Sequence, residues 1–145
     1  MYVEYKKLAS WDATTTKPGY PIKNIIDDST ATFWQSCGEQ PHAIQARFDR
    51  KICVSFFDVF SSPHEDDNFT PLYVSLRYRT FGGEMKYVKT FVYSQECQWL
   101  SFPLFEDKSK PYVWTDLIQF VIHSNQEEGI DSRIRQVSIR GPVPI

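Results

Sequence analysis

The sequence predicts an all-β protein, an antiparallel β-sandwich of the jelly-roll type. Of its 145 residues, 41% are hydrophobic and 16% aromatic, and aromatic and β-branched side chains favour half-buried strands over helices. From residue 43 onward, short runs with strand-like patterns recur with turn residues between them and without helical crossovers. Such spacing is typical of a sandwich rather than a parallel sheet. The length suits one hydrophobic core, so we expect a single domain over residues 1–145.

The individual elements follow from local patterns. Ile22, Ile25 and Ile26 share one face at helical spacing, which predicts a short helix within residues 19–28 near the N-terminus. Gly82-Gly83 predicts a tight hairpin between two neighbouring strands, because glycine adopts positive φ angles without strain. Residues 2–8 are a candidate for an eighth strand. The seven predicted strands lie at residues 43–48, 54–60, 73–80, 86–93, 99–104, 117–123 and 133–140.

Charge and composition exclude several kinds of partner. Sixteen basic and eighteen acidic residues give a net charge of −2, so no positive field exists to hold a nucleic acid. No segment approaches the roughly 20 apolar residues that span a bilayer, and the N-terminus has no signal-like apolar region. We therefore expect a soluble, intracellular protein with neither nucleic acid nor membrane as partner. The spacing of Cys37, Cys53 and Cys97 predicts neither a disulfide framework nor a zinc site, and Cys37 is a candidate exposed thiol.

Antiparallel order predicts which loops meet. Successive connections alternate between the two ends of a sandwich. One end would gather the long, polar loops at residues 32–42, 61–71, 94–98 and 124–132. The other end would gather residues 49–53, 82–83, 106–116 and the tail 141–145. Because scaffolds of this type carry function on loops gathered at one end, the first end is the predicted binding face.

Catalytic and metal sites are not expected. The acidic run at residues 64–68 lacks the spacing of a calcium loop, so it predicts a solvated loop and no bound metal. A hydrolase would need Ser36 or Cys37 beside His42, His64 or His123, but no nucleophile motif surrounds them. Phosphate-binding glycine motifs are also absent from the sequence. We expect no catalytic residue and no cofactor.

The polar loops supply candidate contact residues instead. Gln35, Gln40 and His42 carry donors and acceptors that suit a ligand backbone, and Asn125 and Gln126 offer further amides. Trp34 is more consistent with a packing anchor than with a contact residue. Gly129 permits a positive-φ turn, and Asp131 is expected to pair with Arg133 or Arg135 and hold its loop shut. Supporting roles are therefore expected for the following residues: Trp34, Gly129, Asp131 and Arg135.

Four stretches together resemble the DOC-domain family, that of subunit ten of the anaphase-promoting complex. Their order and spacing match the family from about residue 9 to residue 143, although similar pieces occur in the wider galactose-binding-like and discoidin superfamily. The four stretches are Lys17-Pro18-Gly19 with Asp27-Asp28, then Thr32-Phe33-Trp34-Gln35-Ser36 with Gln40-Pro41-His42, then Phe69-Thr70-Pro71, and finally Gly129-Ile130-Asp131 through Arg135-Gln136.

This resemblance implies a non-catalytic subunit of a ubiquitin ligase of the nucleus and cytoplasm. Such a subunit helps to bind destruction-box degrons together with a WD-repeat coactivator, in the protein degradation that drives mitosis and cell division. Its other partners would be the cullin-like, RING and TPR scaffold subunits. The degron-facing residues that the resemblance implies are Ser36, Gln40, His42, Asn125 and Gln126, with Ser62 and Asp66 in addition. We expect alanine at both Asn125 and Gln126 to weaken degron recognition and leave folding intact.

Two other functions compete with this interpretation. A discoidin-like module would bind a carbohydrate or a lipid through aromatic or apolar loop tips, whereas the loops here are rich in amides. A jelly-roll esterase would need a pocket with a perturbed His42 or His123.

Members of the resembled family commonly end in an Ile-Arg pair that docks on a TPR subunit. In this sequence Ile139-Arg140 falls inside the last predicted strand, and Pro144-Ile145 stands at the end.

Overall fold

The structure is a computed structural model that describes residues 1–80, 82–94, 96 and 98–144. Two antiparallel sheets face each other across the core. The strand order is β2-β4-β9-β6-β7 in the five-stranded sheet and β1-β11-β5-β8 in the four-stranded sheet, and β3 and β10 form a separate small ribbon. The strands are β1 Tyr2–Glu4, β2 Ser10–Ala13, β3 Trp34–Gln35, β4 His42–Val54, β5 Phe56–Ser61, β6 Pro71–Arg79, β7 Met85–Val92, β8 Gln98–Pro103, β9 Val113–Asn125, β10 Arg133–Ile134 and β11 Gln136–Pro142.

This architecture confirms the predicted all-β antiparallel sandwich. Its core is filled by hydrophobic side chains from the facing sides of the two sheets. Aromatic rings join the layers: Phe57 of the four-stranded sheet stacks on Phe120 of the five-stranded sheet with ring centroids 5.3 Å apart. Phe102 lies 5.7 Å from the same ring. The high aromatic content of the sequence is thus used largely in packing.

Helices are short and lie outside the sheets. The predicted N-terminal helix is a 3₁₀ turn, Ile22–Ile26, with Ile25 fully buried. The described α-helix, α1, is Pro63–Asp66, and further 3₁₀ turns occur at Lys6–Leu8, Asp67–Phe69 and Gln126–Glu128. No helix among the described residues is long and apolar enough to cross a membrane.

Several predicted boundaries were wrong. The turn expected at residues 49–53 lies within β4, whose register against β9 shifts between Arg47 and Ile52. A β-bulge absorbs the extra residues there, so the strand continues through polar positions that look like a turn. The expected strand at 2–8 ends at Glu4. Sequence analysis also missed β2, β3 and the first four residues of β9.

Two connections at the second end of the sandwich are tight. The predicted hairpin between β6 and β7 is confirmed, with Gly82 at φ 74° and a hydrogen bond of 2.7 Å from the Gly83 amide to the Thr80 carbonyl. The chain passes from β4 to β5 through Ser55 alone, whose hydroxyl donates to the Pro111 carbonyl at 2.6 Å.

Cys37 is exposed and Cys53 partly buried, and both are free thiols. Cys97 lies outside the described residues.

Candidate binding site at one end of the sandwich

Three loops meet at one end of the sandwich, as the alternation of connections predicts. We call them loop A (residues 36–41), loop B (62–70) and loop C (126–132), and together the loop end. The Gln126 amide donates to the Thr70 carbonyl at 2.8 Å and joins loop C to loop B. The Gln40 side-chain amide donates to the Gly129 carbonyl at 3.1 Å and joins loop A to loop C. In the fourth predicted loop, residues 95 and 97 lie outside the described residues.

A buried hydrogen-bond network locks loop C onto loop A. The Asn125 amide donates to the Asp131 carbonyl at 2.6 Å, and its oxygen accepts from the Ser132 hydroxyl at 2.7 Å. The Ser132 amide then donates to the Ser36 hydroxyl at 2.8 Å. Asp131 accepts from the Gly38 amide at 3.1 Å. Asn125, Ser36 and Ser132 are all at most 2% exposed, so these side chains hold the loops in shape.

Other residues expected at the degron are also turned inward. His42 is fully buried, and its Nε2 lies 2.8 Å from the Ile130 carbonyl. Since a carbonyl only accepts, this contact assigns the proton to Nε2. The Gln126 side chain is buried and donates to the Pro71 carbonyl at 3.0 Å. Ser62 is buried at the start of α1. Gln40 is the half-buried member of the expected contact set.

A buried ion pair fixes loop B. Arg135 of the connection between β10 and β11 donates to both carboxylate oxygens of Asp66, at 2.9 and 2.8 Å. It also donates to the Thr30 carbonyl at 2.7 Å and lies 3.2 Å from Glu65. Both members of the pair are about 5% exposed. A two-point, desolvated contact of this kind gives the loop one orientation relative to the last strands.

An aromatic stack that sequence reasoning missed supports the same end. The guanidinium of Arg133 lies between two rings, 4.4 Å from Phe33 and 3.9 Å from Phe69. Phe33 in turn stacks on Tyr20 with ring centroids 4.9 Å apart. Arg133 also donates to Gln35 at 2.9 Å. Phe33 and Phe69 were visible in the resembled stretches, but their contacts with Arg133 join residues 100 and 64 positions apart.

The roles expected for two structural residues need correction. Gly129 lies at φ −64°, not in a positive-φ turn. A Cβ at Gly129 would stand 1.8 Å from the Asn68 carbonyl oxygen, so glycine is needed there for close approach of loops B and C. The Asp131 carboxylate accepts from the Gly38 amide, and not from Arg133 or Arg135 as expected. One of its oxygens lies 4.0 Å from the His42 Nε2.

Trp34 anchors the small β3–β10 ribbon in the core. It is fully buried, and its indole nitrogen donates to the Thr15 carbonyl at 3.1 Å. The same nitrogen lies 3.2 Å from the Thr16 hydroxyl. Because a buried indole N–H needs an acceptor, these contacts also fix the segment that precedes the helical turn.

The side chains exposed on these loops are a different set from the expected contact residues. From the sequence, these positions were interpreted as solvated loop charge or as turn residues. Ile130 is 62% exposed and projects from loop C beside the His42 contact. The exposed residues of the three loops are Cys37, Gly38, Glu39, His64, Glu65, Asp67, Asn68, Glu127, Glu128 and Ile130, with Pro41.

Two of the histidines make contacts within the protein. His42 faces a backbone carbonyl, and His123 lies on the outer face of the five-stranded sheet, 2.6 Å from the Ser75 hydroxyl. Ser75 also contacts Thr90 at 3.0 Å, which continues a row of hydroxyl contacts along that face. Across residues 1–80, 82–94, 96 and 98–144, no three His, Cys, Asp or Glu side chains are grouped to hold a metal ion.

Comparison with solved structures shows the same fold in carbohydrate-binding modules. A family 32 module of Clostridium perfringens, solved with galactose, superposes with a TM-score of 0.80, covering 97% of this chain and 99% of that one at 11% identity. The C-terminal domain of a chitobiase from Bacteroides fragilis gives a TM-score of 0.77 at 17% identity, over 99% of this chain and all of that domain. At these identities the likeness concerns the fold alone.

Sequence comparison gives the family. The family model for anaphase-promoting complex subunit 10 matches residues 2–144. Anaphase-promoting complex subunit 10 of Dictyostelium discoideum is 31% identical over 140 residues, covering 96% of this chain and 73% of that protein. The human subunit 10 is 30% identical over 135 residues, 93% of this chain and 72% of that protein. The chain therefore belongs to the family of anaphase-promoting complex subunit 10.

Proposed function

We propose that this chain is the non-catalytic substrate-recognition subunit of an anaphase-promoting complex and binds destruction-box degrons at the loop end. The observation that carries the proposal is the match to the subunit family over residues 2–144, in a fold whose polar loops gather at one end. The partners in this proposal are the cullin-like, RING and TPR scaffold subunits and a WD-repeat coactivator, in the nucleus and cytoplasm. The coactivator would supply the second half of the degron site.

In this proposal, the buried and the exposed residues of the loop end have different roles. The buried set around Asn125, Ser36 and Asp66 is satisfied by its own chain, so it shapes the surface and presents backbone groups. Contact with an extended peptide falls to the exposed tips of loops A and C, with Ile130 as the apolar anchor and Gln40 beside it. Since each partner protein supplies part of the pocket, the affinity of this chain alone is expected to be weak.

The experiment compares two matched substitutions. Ile130→Ala at the loop end and Leu8→Ala in the 3₁₀ turn between β1 and β2 remove aliphatic side chains of nearly equal exposure, 62% and 61%. In a reconstituted complex, Ile130→Ala is expected to lower ubiquitination of a destruction-box substrate about tenfold. An apolar side chain that becomes buried against the bound peptide contributes roughly 1–3 kcal/mol to the binding free energy. Leu8→Ala is expected to leave it unchanged.

The readout includes a substrate whose destruction box is deleted. Equal ubiquitination by the Ile130→Ala and Leu8→Ala complexes would remove Ile130 from the site. Equal ubiquitination of the intact and deleted substrates would overturn the recognition function itself. A carbohydrate-binding role makes a separate prediction, namely protection of loop A and loop C amides by galactose in hydrogen exchange.

A further inference from the structure

The five-stranded sheet has an open edge at β7. This strand, Met85–Val92, pairs with β6 on one side, and within the part of the chain that the structure describes no strand pairs with its other side. The Tyr93 amide donates to the Leu72 carbonyl at 2.7 Å. Since bonded and non-bonded pairs alternate along an antiparallel ladder, the amide and carbonyl groups of Thr90 and Val92 face away from β6. Such groups are a template that another extended strand can complete.

The outer face of the sheet beside this edge combines apolar and polar side chains. Tyr73, Tyr87 and Val92 are 47%, 59% and 68% exposed. The Thr90 hydroxyl lies 2.6 Å from the Tyr87 hydroxyl and 3.0 Å from the Ser75 hydroxyl, so hydrogen bonds fix the middle of this face. Exposed tyrosines beside an arginine are typical of protein-binding surfaces. We call this surface the β7 face, and its three cross-strand rows are Tyr73 with Val92, Ser75 with Thr90, and Arg77 with Tyr87.

The charged side chains of β6 and β7 have one sign, because these strands contain no Asp or Glu. Arg79 pairs with Asp116 at 2.8 Å. Lys86 shares a cleft with Glu106. Arg77 is exposed, and among the described residues it has no carboxylate within 4 Å. A guanidinium in this position suits a carboxylate of a ligand. The four cations of the two strands are Arg77, Arg79, Lys86 and Lys89.

The same charges disfavour a second copy of the chain as the occupant of this edge. Pairing of two β7 strands would bring Lys86 and Lys89 of both copies close together, and like charges on neighbouring strands are destabilising. Lysines on an edge strand commonly prevent self-association in this way. A strand that carries carboxylates is attracted by the same side chains. Charge complementarity therefore favours an acidic partner segment over a second β7.

We propose that β7 receives an extended acidic segment of a partner protein, which joins the five-stranded sheet as an additional edge strand. The rows of Arg77 and Tyr73 are four residues apart on β6, which is about 13 Å at ~3.3 Å per residue. Side chains four positions apart share one face of a strand. The segment accordingly carries a carboxylate beside Arg77 and an apolar side chain beside Val92, four positions from each other. No residue of loops A, B or C takes part, so this site is independent of the function proposed for the loop end.

The test titrates the isotope-labelled chain with short peptides at low ionic strength. The probe is a nine-residue peptide of threonines with Glu at position 4 and Val at position 8, blocked at both ends. Amide NMR shifts are expected at Thr90 and Val92. A peptide with Lys at position 4 is expected to bind about fivefold more weakly, since exposed charge contacts are individually weak. Moving Val to position 7 places it on the opposite face and is expected to weaken binding about as much.

Two matched arginine variants locate the charge contact. Arg77→Gln is expected to bind the Glu and Lys peptides equally. Arg47→Gln removes an exposed arginine from β4 of the same sheet and is expected to keep the preference for the Glu peptide. Loss of the preference in both variants would show a general effect of net charge and would overturn the contact with Arg77.

Two variants at Val92 separate the backbone from the side chain. Val92→Pro removes an N–H that faces away from β6, so it leaves the existing ladder intact and blocks an added strand. Val92→Ala keeps the N–H and removes only apolar contact. The proline variant is expected to lose binding and the alanine variant to retain part of it. Unchanged binding by Val92→Pro, equal binding of the Glu and Lys peptides to the unmodified chain, or no shift in β7 would overturn the proposal.

Discussion

Several polar residues of the loop end are buried and hydrogen-bonded within the protein. Asp66 shows this most clearly, because its carboxylate receives two hydrogen bonds from Arg135 at a site almost closed to water. Removing one member of a buried pair leaves the other charged group without compensation, and that is more costly than losing both. The orientation of loop B therefore depends on this pair.

Asp66→Ala is expected to lower the free energy of unfolding by about 3–5 kcal/mol, because Arg135 is left buried with its main partner gone. Denaturant unfolding measures this. Asp49→Ala is the comparison, since Asp49 pairs with Arg50 at a fully accessible position and such pairs contribute about 0–1 kcal/mol. A loss for Asp66→Ala as small as that for Asp49→Ala would contradict a structural role for the pair.

The predicted roles of Asn125 and Gln126 change for the same reason. Alanine at both positions removes the donors to the Asp131 and Pro71 carbonyls, and an unsatisfied buried polar group costs about 1–3 kcal/mol. This double substitution is therefore expected to lower the stability of the fold, whereas the sequence alone predicted intact folding. A loss of recognition in that variant would reflect a reshaped loop C as well as any lost contact.

Asp28 gives a residue-scale prediction that depends on pH. Hydrogen bonds from Lys6 and Lys7 hold the pKa of Asp28 at about 2, below its ordinary 3.8. A lowered carboxyl pKa favours the folded state above pH 3.8, and this contribution is lost as the pH falls through about 2. A side-chain carbon NMR titration is expected to give a midpoint near 2. Lys6→Gln is expected to move the midpoint up, and an unchanged midpoint would show that Lys6 does not set it.

At the scale of elements, loops B and C are packed against each other with no room between their backbones. The Gly129 Cα lies against the Asn68 carbonyl, while Glu127 and Glu128 on the same loop adopt φ angles of 50° and 58°. Positive φ is unfavourable for residues with a side chain. The turn of loop C is therefore made at two glutamates, and its single glycine serves the contact with loop B.

Gly129→Ala tests this contact. The new methyl group would overlap the Asn68 carbonyl, so loops B and C must separate, and the expected loss of stability is about 1–3 kcal/mol. Hydrogen exchange is expected to accelerate in loops B and C and to stay unchanged in β5 and β11. Ile130→Ala, at the exposed neighbouring residue, is expected to stay within about 0.5 kcal/mol of the parent. Unchanged exchange in Gly129→Ala would contradict the close approach.

The elements that sequence reasoning predicted correctly were those with a local signal. The β6–β7 hairpin followed from Gly82, and Ile22 to Ile26 followed from helical spacing. The bulge in β4 was misinterpreted as a turn because Asp49, Arg50 and Lys51 are polar and adjacent, and nothing local records that the strand resumes its pairing with β9 at Ile52. Strands β2 and β3 are too short to show a period.

At the scale of the molecule, topology predicted which loops meet, whereas residue chemistry did not predict which side chains of these loops are buried. Alternation of loops between two ends depends only on antiparallel order, so loops A, B and C were placed together correctly. The inward or outward direction of each polar side chain depends on partners that are distant in sequence. Ser36 was expected at the ligand, but it accepts from the amide of Ser132, 96 positions away, and no local pattern contains that information.

That distance has a kinetic consequence. The contacts that shape the loop end join residues 36 and 132, 66 and 135, and 40 and 129. Contacts of such long sequence separation close large loops, so they form late and together with the global folding transition. During synthesis, a nascent chain that has not yet reached residue 135 can pair β4, β6 and β9 but lacks the partner that holds Asp66 in loop B. The arrangement of the three loops is therefore completed only after residue 135 has been synthesised.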